Sequence, residues 1–283
     1  MAETIAPELT TPCPSAQVLT RHEWTEPTSC AVAAGEAALF SARAPDKLTY
    51  NEDSAAVIPV NETSGVLVVA DGLGGERAGH EASALAVRTL IETVRAFAVD
   101  GESTQLRAAI LDGIETANRL ILDLGIGAAT TIAVVEINDG KARPYHVGDS
   151  MILVVGGKGK VKLLTVSHAP VAMAVEAGLL DAVEAMHHDE RHLVSNVVGS
   201  TEMRIEIGPP LKLAPRDTVV LASDGLSDNL HLDEIIARIR KGKLTQSMSQ
   251  LVAEADQRMQ TPLPGCPHKP DDLTVIAYRR KPK

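Results

Sequence analysis

A chain of 283 residues, 45% hydrophobic and 23% charged, has apolar material for one large domain or two small ones. Its formal net charge of −10, with Lys and Arg scattered, argues against a nucleic-acid or anionic-membrane surface and suits a cation site. Aromatics make up only 2%, so the core must be built from Val, Leu, Ile and Ala. Cys13, Cys30 and Cys266 match no zinc pattern and no disulfide framework, and are read as inert thiols in a reducing, cytoplasmic compartment. No stretch is long and apolar enough to span a bilayer, and the N-terminus lacks the charged-then-apolar order of a signal peptide.

Residues 1–28 are rich in Pro and Thr without periodicity and are predicted to be a loose tail, leaving 29–283 as a single domain. A first strand is expected within 30–42, then a polar loop over 46–53 ending on Glu52 and Asp53, a strand at 55–60 and a turn at 61–64. The stretch GVLVVADGLGGERAG, 65–79, follows. Five apolar residues run straight into Asp71, and Gly72, Gly74, Gly75 and Gly79 come within eight positions. That pattern is a buried strand with a carboxylate at its tip and backbone oxygens free beside it, a way to hold a hard cation. A plain Asp-Gly turn is the competing reading of this segment. A dinucleotide-binding loop is disfavoured by the glycine spacing and by the lack of an acid ending a second strand.

Amphipathic helices are predicted over 81–97 and over 103–124, the second capped by Ser103. Strands are predicted at 130–137, 142–155 and 161–164, with Asn138-Asp139-Gly140 and Gly156-Gly157 as turns that imply antiparallel pairing. Asp149 falls inside the middle strand after Gly148, where Asp is disfavoured and marks a bulge or a purpose. Residues 168–200 read as helical and polar, 217–224 as a strand ending on Asp224, 233–260 as a helix, and 273–278 as a last strand opened by Asp271 and Asp272.

Acids thus recur at strand tips: Asp71, Asp149, Asp224 and Asp271/Asp272, with Glu52 and Asp53 just before a strand. Carboxylates gathered at one end of paired strands repel one another unless a cation sits among them. Oxygen-only ligands favour Mg²⁺, Mn²⁺ or Ca²⁺ over Zn²⁺. Two such cations sharing one Asp form a hydrolytic site that activates water and clamps phosphate oxygens.

Six motifs occur in order: YNED at 50–53, VVADGLGG at 68–75, ATT at 129–131, VGDS at 147–150, LASDGLSD at 221–228 and PDDLTV at 270–275. With these, residues 37–280 resemble the metal-dependent protein phosphatase family (PPM, or PP2C-type). Leu73 and the 168–200 segment resemble its bacterial branch, in which that segment is a flap. The resemblance implies an α+β fold of four layers, α-β-β-α, with two central, mainly antiparallel sheets. It implies hydrolysis of phosphoserine and phosphothreonine in proteins by a metal-activated hydroxide attacking phosphorus in line, without a phosphoenzyme. Two Mn²⁺ or Mg²⁺ ions are implied, with Asp71 bridging both, the Gly72 carbonyl on one, Asp224 and Asp271 on the other, and Glu52 acting through a water. Asp149 matches the acid of a third, weaker site, while Asp53, Asp228 and Asp272 stand behind the ligands, Asp272 replacing the family's Asn. The implied partners are a phosphoprotein and a cognate Ser/Thr kinase, with a monomeric enzyme.

Three positions depart from the family. Leu48 stands where an Arg often grips the substrate phosphate, so Lys47 and Arg43 become the candidates; Leu73 replaces a His some members carry; Met151 follows the GDS motif in place of Arg. His187, His188 and His192 are read as a polar flap face, with His188 a weaker candidate acid for the leaving alkoxide; His146 and His168 are read as structural. A haloacid-dehalogenase-like phosphatase is a rival, but it needs a nucleophilic Asp-x-Asp and the first such strand here ends Asp71-Gly72-Leu73. A weakly active or inactive regulatory protein of the same fold is the second rival.

Overall fold

The structure is a computed structural model and describes residues 17–20, 25–100, 105–181, 184–185, 188, 190 and 193–281. Its first half contains β1 (Gln17–Thr20), β2 (Thr28–Val32), β3 (Gly35–Ala42), β4 (Asp53–Pro59), β5 (Ser64–Leu73), α1 (Glu76–Asp100) and α2 (Leu106–Asp123). There follow β6 (Ala129–Thr130), β7 (Ile132–Asn138), β8 (Lys141–Val147), β9 (Met151–Val155), β10 (Val161–Leu164) and α3 (Pro170–Glu176). Then come β11 (Glu206–Ile207), β12 (Leu211–Lys212), β13 (Thr218–Ala222), α4 (Asp224–Ser227), α5 (Leu232–Ile239), α6 (Leu244–Gln260) and β14 (Leu273–Arg280).

One sheet runs β1-β4-β5-β7-β8-β11, with β12 on β8 and β6 on β5; the other runs β10-β9-β13-β14-β3-β2. Every strand pair is antiparallel. The expected four-layer α-β-β-α sandwich is therefore what forms. Because each sheet is covered on both faces, its strands are apolar almost throughout, yet side chains still alternate between two layers. On β5, Val66, Val68 and Ala70 pack with α1 and α2, while Leu67 and Val69 enter the layer between the sheets. On β13, Val219 and Leu221 enter that central layer, while Val220 and Ala222 meet α5 and α6. On β14, Ile276 and Tyr278 point inward and Val275 and Ala277 outward.

That alternation decides where the polar strand ends point. Asp71 shares the parity of Leu67 and Val69, Asp53 that of Ala55 and Val57, Ser223 that of Leu221, and Asp272 and Thr274 that of Ile276. Thr131 continues Ala133 and Val135, and Ser150 continues Ile152. All of these residues extend the central layer at one end, where it turns from apolar to acidic.

Several elements differ from expectation. The predicted tail contains β1, which pairs with β4, and reaches the start of β2; residues 1–16 and 21–24 lie outside the described residues. The single strand expected over 142–155 is two: β8 belongs to one sheet and β9 to the other. Gly148, at φ +109, and Asp149 make the crossing between them, so Asp149 lies at a corner and not within a strand. Among the described residues, the segment 168–200 carries a seven-residue helix, α3, closed after Ala177 by Gly178 at φ +69, and a helical pair at 184–185, and not one continuous helix; Ser103, His187 and His192 lie outside the described residues. The long helix expected over 233–260 is broken in two at Gly242, φ +90.

At Gly148 a Cβ would be both strained by the positive φ and driven into the side chain of Thr131. Gly148→Ala should cost about 1–3 kcal/mol of stability, measured by urea unfolding in EDTA.

Candidate metal centre

Asp53 and Asp71 lie directly opposite each other on β4 and β5. The Asp71 backbone is clamped from β6 and β7: its N–H donates to Thr131 Oγ1 at 3.0 Å, and its carbonyl accepts from the Thr130 hydroxyl at 2.7 Å and the Thr131 N–H at 2.8 Å. Thr131 Oγ1 is in turn 2.6 Å from Ser150 Oγ, which ties the Asp149 corner to the same point. Gly72 has no room for a side chain, since a Cβ would collide with the Gly79 carbonyl at the start of α1 and with the Glu52 carbonyl. The glycines thus let α1 close down on the strand tip.

The second sheet contributes from the other side of the central layer. Ser223 precedes α4 and donates through Oγ to Asp53 Oδ2 at 2.7 Å, while the Thr274 N–H donates to Ser223 Oγ at 3.0 Å. Asp224 follows at the start of α4, and Asp271 precedes β14. A buried Asn51 sets the turn into β4 by accepting the Asp53 N–H at 2.9 Å and donating to Ser41 Oγ at 2.9 Å. His80 of α1 is buried beneath it with Nδ1 3.0 Å from the Asn51 carbonyl.

Burial and mutual repulsion shape the acids' ionisation. Asp53 is pushed up to about 8, by burial first and by Asp272 next. Asp71 is held well above the usual carboxylate range by burial and by the charges of Asp53, Asp224, Asp149 and Asp271. Asp224 is raised likewise by burial and by Asp271 and Asp228, and Asp149 is raised to about 6 by burial and by Asp228. Among the described residues, Asp53 Oδ1 and Asp224 Oδ1 are buried side-chain oxygens with no hydrogen-bond partner. Unpaired buried oxygens of this kind are costly unless something positive meets them.

Two lysines are the cations already present. Lys269 Nζ lies 2.7 Å from Asp224 Oδ2, 2.8 Å from Asp271 Oδ2 and 3.1 Å from Asp228 Oδ2. Burial alone would lower its pKa, but these three carboxylates outweigh burial and hold the ammonium above its ordinary value. Lys47 Nζ lies 2.6 Å from Asp272 Oδ2 and 2.8 Å from Glu52 Oε2. Asp272 is the hub of this corner, because its carboxylate also accepts the N–H of Ala44 at 2.8 Å and of Glu52 at 2.7 Å. Lys47, expected to meet substrate, is therefore bound to two acids, while Leu48 is 94% exposed. Arg43 is exposed on the same loop, its Nη1 3.4 Å from the Thr49 carbonyl.

The acids fit hard divalent cations: the donors are carboxylate oxygens, two of the oxygens lack partners, and an ammonium already nests among three of them. They are spread more widely than one ion's coordination shell. Among the described residues, the one His/Cys/Asp/Glu group whose ligand atoms all fall within 4.8 Å of one another is His146, His168 and Glu206. That group is excluded by tautomer. His168 Nδ1 accepts the Gly148 N–H at 3.0 Å, so its proton sits on Nε2, aimed at Glu206 Oε2 3.1 Å away, and no lone pair is left for a metal. His168 instead anchors the 168–200 segment, its carbonyl accepting the N–H of Ser195 at 3.0 Å and the Ser195 hydroxyl at 2.6 Å. His188 Nδ1 accepts the Glu190 N–H at 3.2 Å.

Lys269, Ser223, Asn51 and His80 are site residues that sequence reasoning missed. Parity along the strands would have found Ser223, whereas nothing local marks Lys269.

Comparison with known proteins agrees with this architecture. Residues 46–263 match the protein phosphatase 2C family. Protein phosphatase PhpP of Streptococcus pneumoniae is 31% identical over 176 residues, 60% of this chain and 70% of its own. The Streptococcus agalactiae serine/threonine phosphatase structure superposes with a TM-score of 0.75 at 28% identity, covering 87% of this chain and all of that one. The catalytic domain of the phosphatase PstP, solved with two manganese ions, shares the fold at TM-score 0.68 and 22% identity, over 87% of this chain and 98% of its own. The chain belongs to the protein phosphatase 2C family and is a serine/threonine protein phosphatase of that type. The family match stops before β14; the structure adds that strand, with Asp271 and Asp272 at its entrance, between β13 and β3.

Two predictions come from these contacts. In EDTA, the folded state keeps protons on Asp53, Asp71 and Asp224 that the unfolded chain releases near the ordinary value of 3.8, so stability should fall as pH rises toward about 8. Scanning calorimetry at pH 5.5 and pH 8 should show that fall, and saturating Mn²⁺ should reduce it; a pH-independent melting temperature in EDTA would contradict the burial argument. Lys47→Met should cost on the order of 3 kcal/mol by stranding a buried carboxylate, and adding Asp272→Asn should recover most of it, measured as a double-mutant cycle by urea unfolding.

Proposed function

We propose that this phosphatase hydrolyses phosphoserine and phosphothreonine in proteins at a centre of two divalent cations, Mn²⁺ or Mg²⁺. The supporting observation is the convergence of acids from both sheets on one end of the central layer, with Asp53 Oδ1 and Asp224 Oδ1 buried and unpartnered. Asp71 would be shared by both ions, the Gly72 carbonyl would hold one, and Asp224 and Asp271 the other. Glu52 would act through a water, Asp149 lies where a further cation could be met, and Asp53, Asp228 and Asp272 would fix the ligands from behind. When bound, a divalent pair supplies Lewis acidity toward phosphate oxygens and acidifies water as a nucleophile near neutral pH.

The chain's own residues do the rest. Thr130 and Thr131 fix the Asp71 backbone, and Ser223 fixes the Asp53 carboxylate, so the ligands need little reorganisation. The Asp71-Gly72-Leu73 sequence offers no paired acid to receive a phosphoryl group, in keeping with direct displacement of the alcohol by water. With Lys47 committed to Glu52 and Asp272, Arg43 is the cationic side chain of that loop proposed to meet the substrate phosphate. Two grooves of about 440 and 350 Å³ run from Asp149 past Ser167, Ser227 and Pro267, one under α3, and provide a path for the polypeptide flanking the phosphoresidue. A cognate Ser/Thr kinase is the proposed source of the substrate, and the enzyme is proposed to act as a monomer. No helix among the described residues is long and apolar enough to cross a membrane.

Phosphate release from a phosphothreonine peptide should require Mn²⁺ or Mg²⁺, and Asp224→Asn should lower kcat/KM on the order of a thousandfold. Release in EDTA at the full rate, or a trapped aspartyl-phosphate, would refute the reading.

A further inference from the structure

The larger groove beside the acids, about 440 Å³, has a chemistry opposite to theirs. Met151, Leu230 and Ile235 in its lining are buried, and Leu164, 42% exposed, and the half-buried Leu232 complete its apolar surface. Met151 shares the parity of Leu153 and Val155 on β9, which puts it in one cluster with Leu230 and Ile235. It stands where an Arg often follows the GDS motif, so no guanidinium enters from that position. Among the described residues, no Lys or Arg lines the groove.

The polar groups of the lining are already engaged. Thr165 Oγ1 accepts the Ile152 N–H at 2.9 Å, and Ser167 Oγ accepts the Ala169 N–H at 3.1 Å. Ser227 Oγ donates to the Asp224 carbonyl at 3.3 Å, and the His231 side chain accepts the Glu234 N–H at the start of α5. A charged side chain entering here would give up water for little in return, whereas an apolar one gains by leaving water. The groove is also continuous with the acids. It shares Asp149, Ser167, Ser227 and Pro267 with the smaller groove, which reaches Asp224 and Asp228. A polypeptide with its phosphoresidue at those acids has one flank led past Asp149 into this lining.

We propose that the groove is a specificity pocket: it takes an aliphatic or aromatic side chain of the phosphoprotein, a few residues to one side of the phosphoresidue. Its volume falls within the roughly 300–1,000 Å³ of ligand-binding pockets. The inference rests on the phosphoprotein reading of the site and adds which sequences it prefers.

The test is kcat/KM with Mn²⁺ on phosphothreonine peptides in which each flanking position in turn is Leu, Phe, Lys or Glu. At one position Leu and Phe should exceed Lys and Glu by about tenfold. Leu164→Lys should remove most of that preference and Leu164→Met should keep it. Both variants should match wild type on a small aryl phosphate, which is too short to reach the groove. Equal rates at every position, a preference for charge, or a preference that Leu164→Lys leaves untouched would overturn the inference while the phosphatase reading stands. No Mn²⁺-dependent release from any peptide or from the aryl phosphate would overturn both. A wild-type dimer in sedimentation that Leu164→Lys splits would assign the groove to a second copy of the chain and overturn the inference as well.

Discussion

Electrostatic repulsion among carboxylates held out of water is the constraint around which this molecule is arranged. Asp53, Asp71, Asp149 and Asp224 are each forced upward in pKa, chiefly by burial and then by neighbouring carboxylates, among them Asp228, Asp271 and Asp272. Left to relax, such a group would spread or protonate. It cannot spread, because it is held by the Thr130 and Thr131 clamp on the Asp71 backbone, the Ser223 bond to the Asp53 carboxylate and the Gly72–Gly79 approach, so without a cation it is driven toward the protonated form. The apolar layer behind them makes that rigidity possible, since close-packed Leu67, Val69, Leu221 and Ile276 cannot shift without opening voids.

The double-sheet architecture follows from the same requirement. One sheet has only one inward face, and its strand ends lie side by side. Two stacked sheets bring ends from both into a single layer, so Asp71 from β5 can share its surroundings with Asp224 after β13 and Asp271 before β14. The chain crosses from one sheet to the other at Gly148–Ser150, and that corner is where Asp149 is presented. A glycine with a left-handed φ is needed there because Thr131 fills the space a side chain would use. The Thr131–Ser150 contact then joins the corner to the strand tip.

Much of this was legible in the sequence, for reasons that can be named. Apolar runs ending on Asp-Gly are strongly patterned, and six short motifs in fixed order pointed to the fold and to the acids. What escaped detection depends on contacts distant along the chain. An unbroken apolar stretch through 142–155 says nothing about a change of sheet, because strands covered on both faces look alike. The polar 168–200 segment has helical spacing, but its ends are held by His168 to Ser195 and by Asn196 to the Arg204 N–H, contacts that helical spacing does not reveal. Lys269 lies in a Pro-rich loop with no periodicity, and only the meeting of Asp224, Asp228 and Asp271 in space gives it a role.

The departures from the family's pattern make sense as a rebalancing of charge and not as separate losses. Replacing Asn by Asp at position 272 adds a negative charge at a site only 3% exposed, next to Glu52 and Asp53. Lys47 supplies the compensation, reaching Asp272 and Glu52 together. An Arg at 48 would add a second cation beside Lys47, and Leu48, 94% exposed, is found there instead. On the opposite side of the cluster Lys269 meets Asp228 and Asp271 along with Asp224. The acids are thus flanked by two tethered ammonium groups, one toward the 44–52 loop and one toward α4, and among the described residues Asp53 Oδ1 and Asp224 Oδ1 are the buried carboxylate oxygens left without a hydrogen-bond partner.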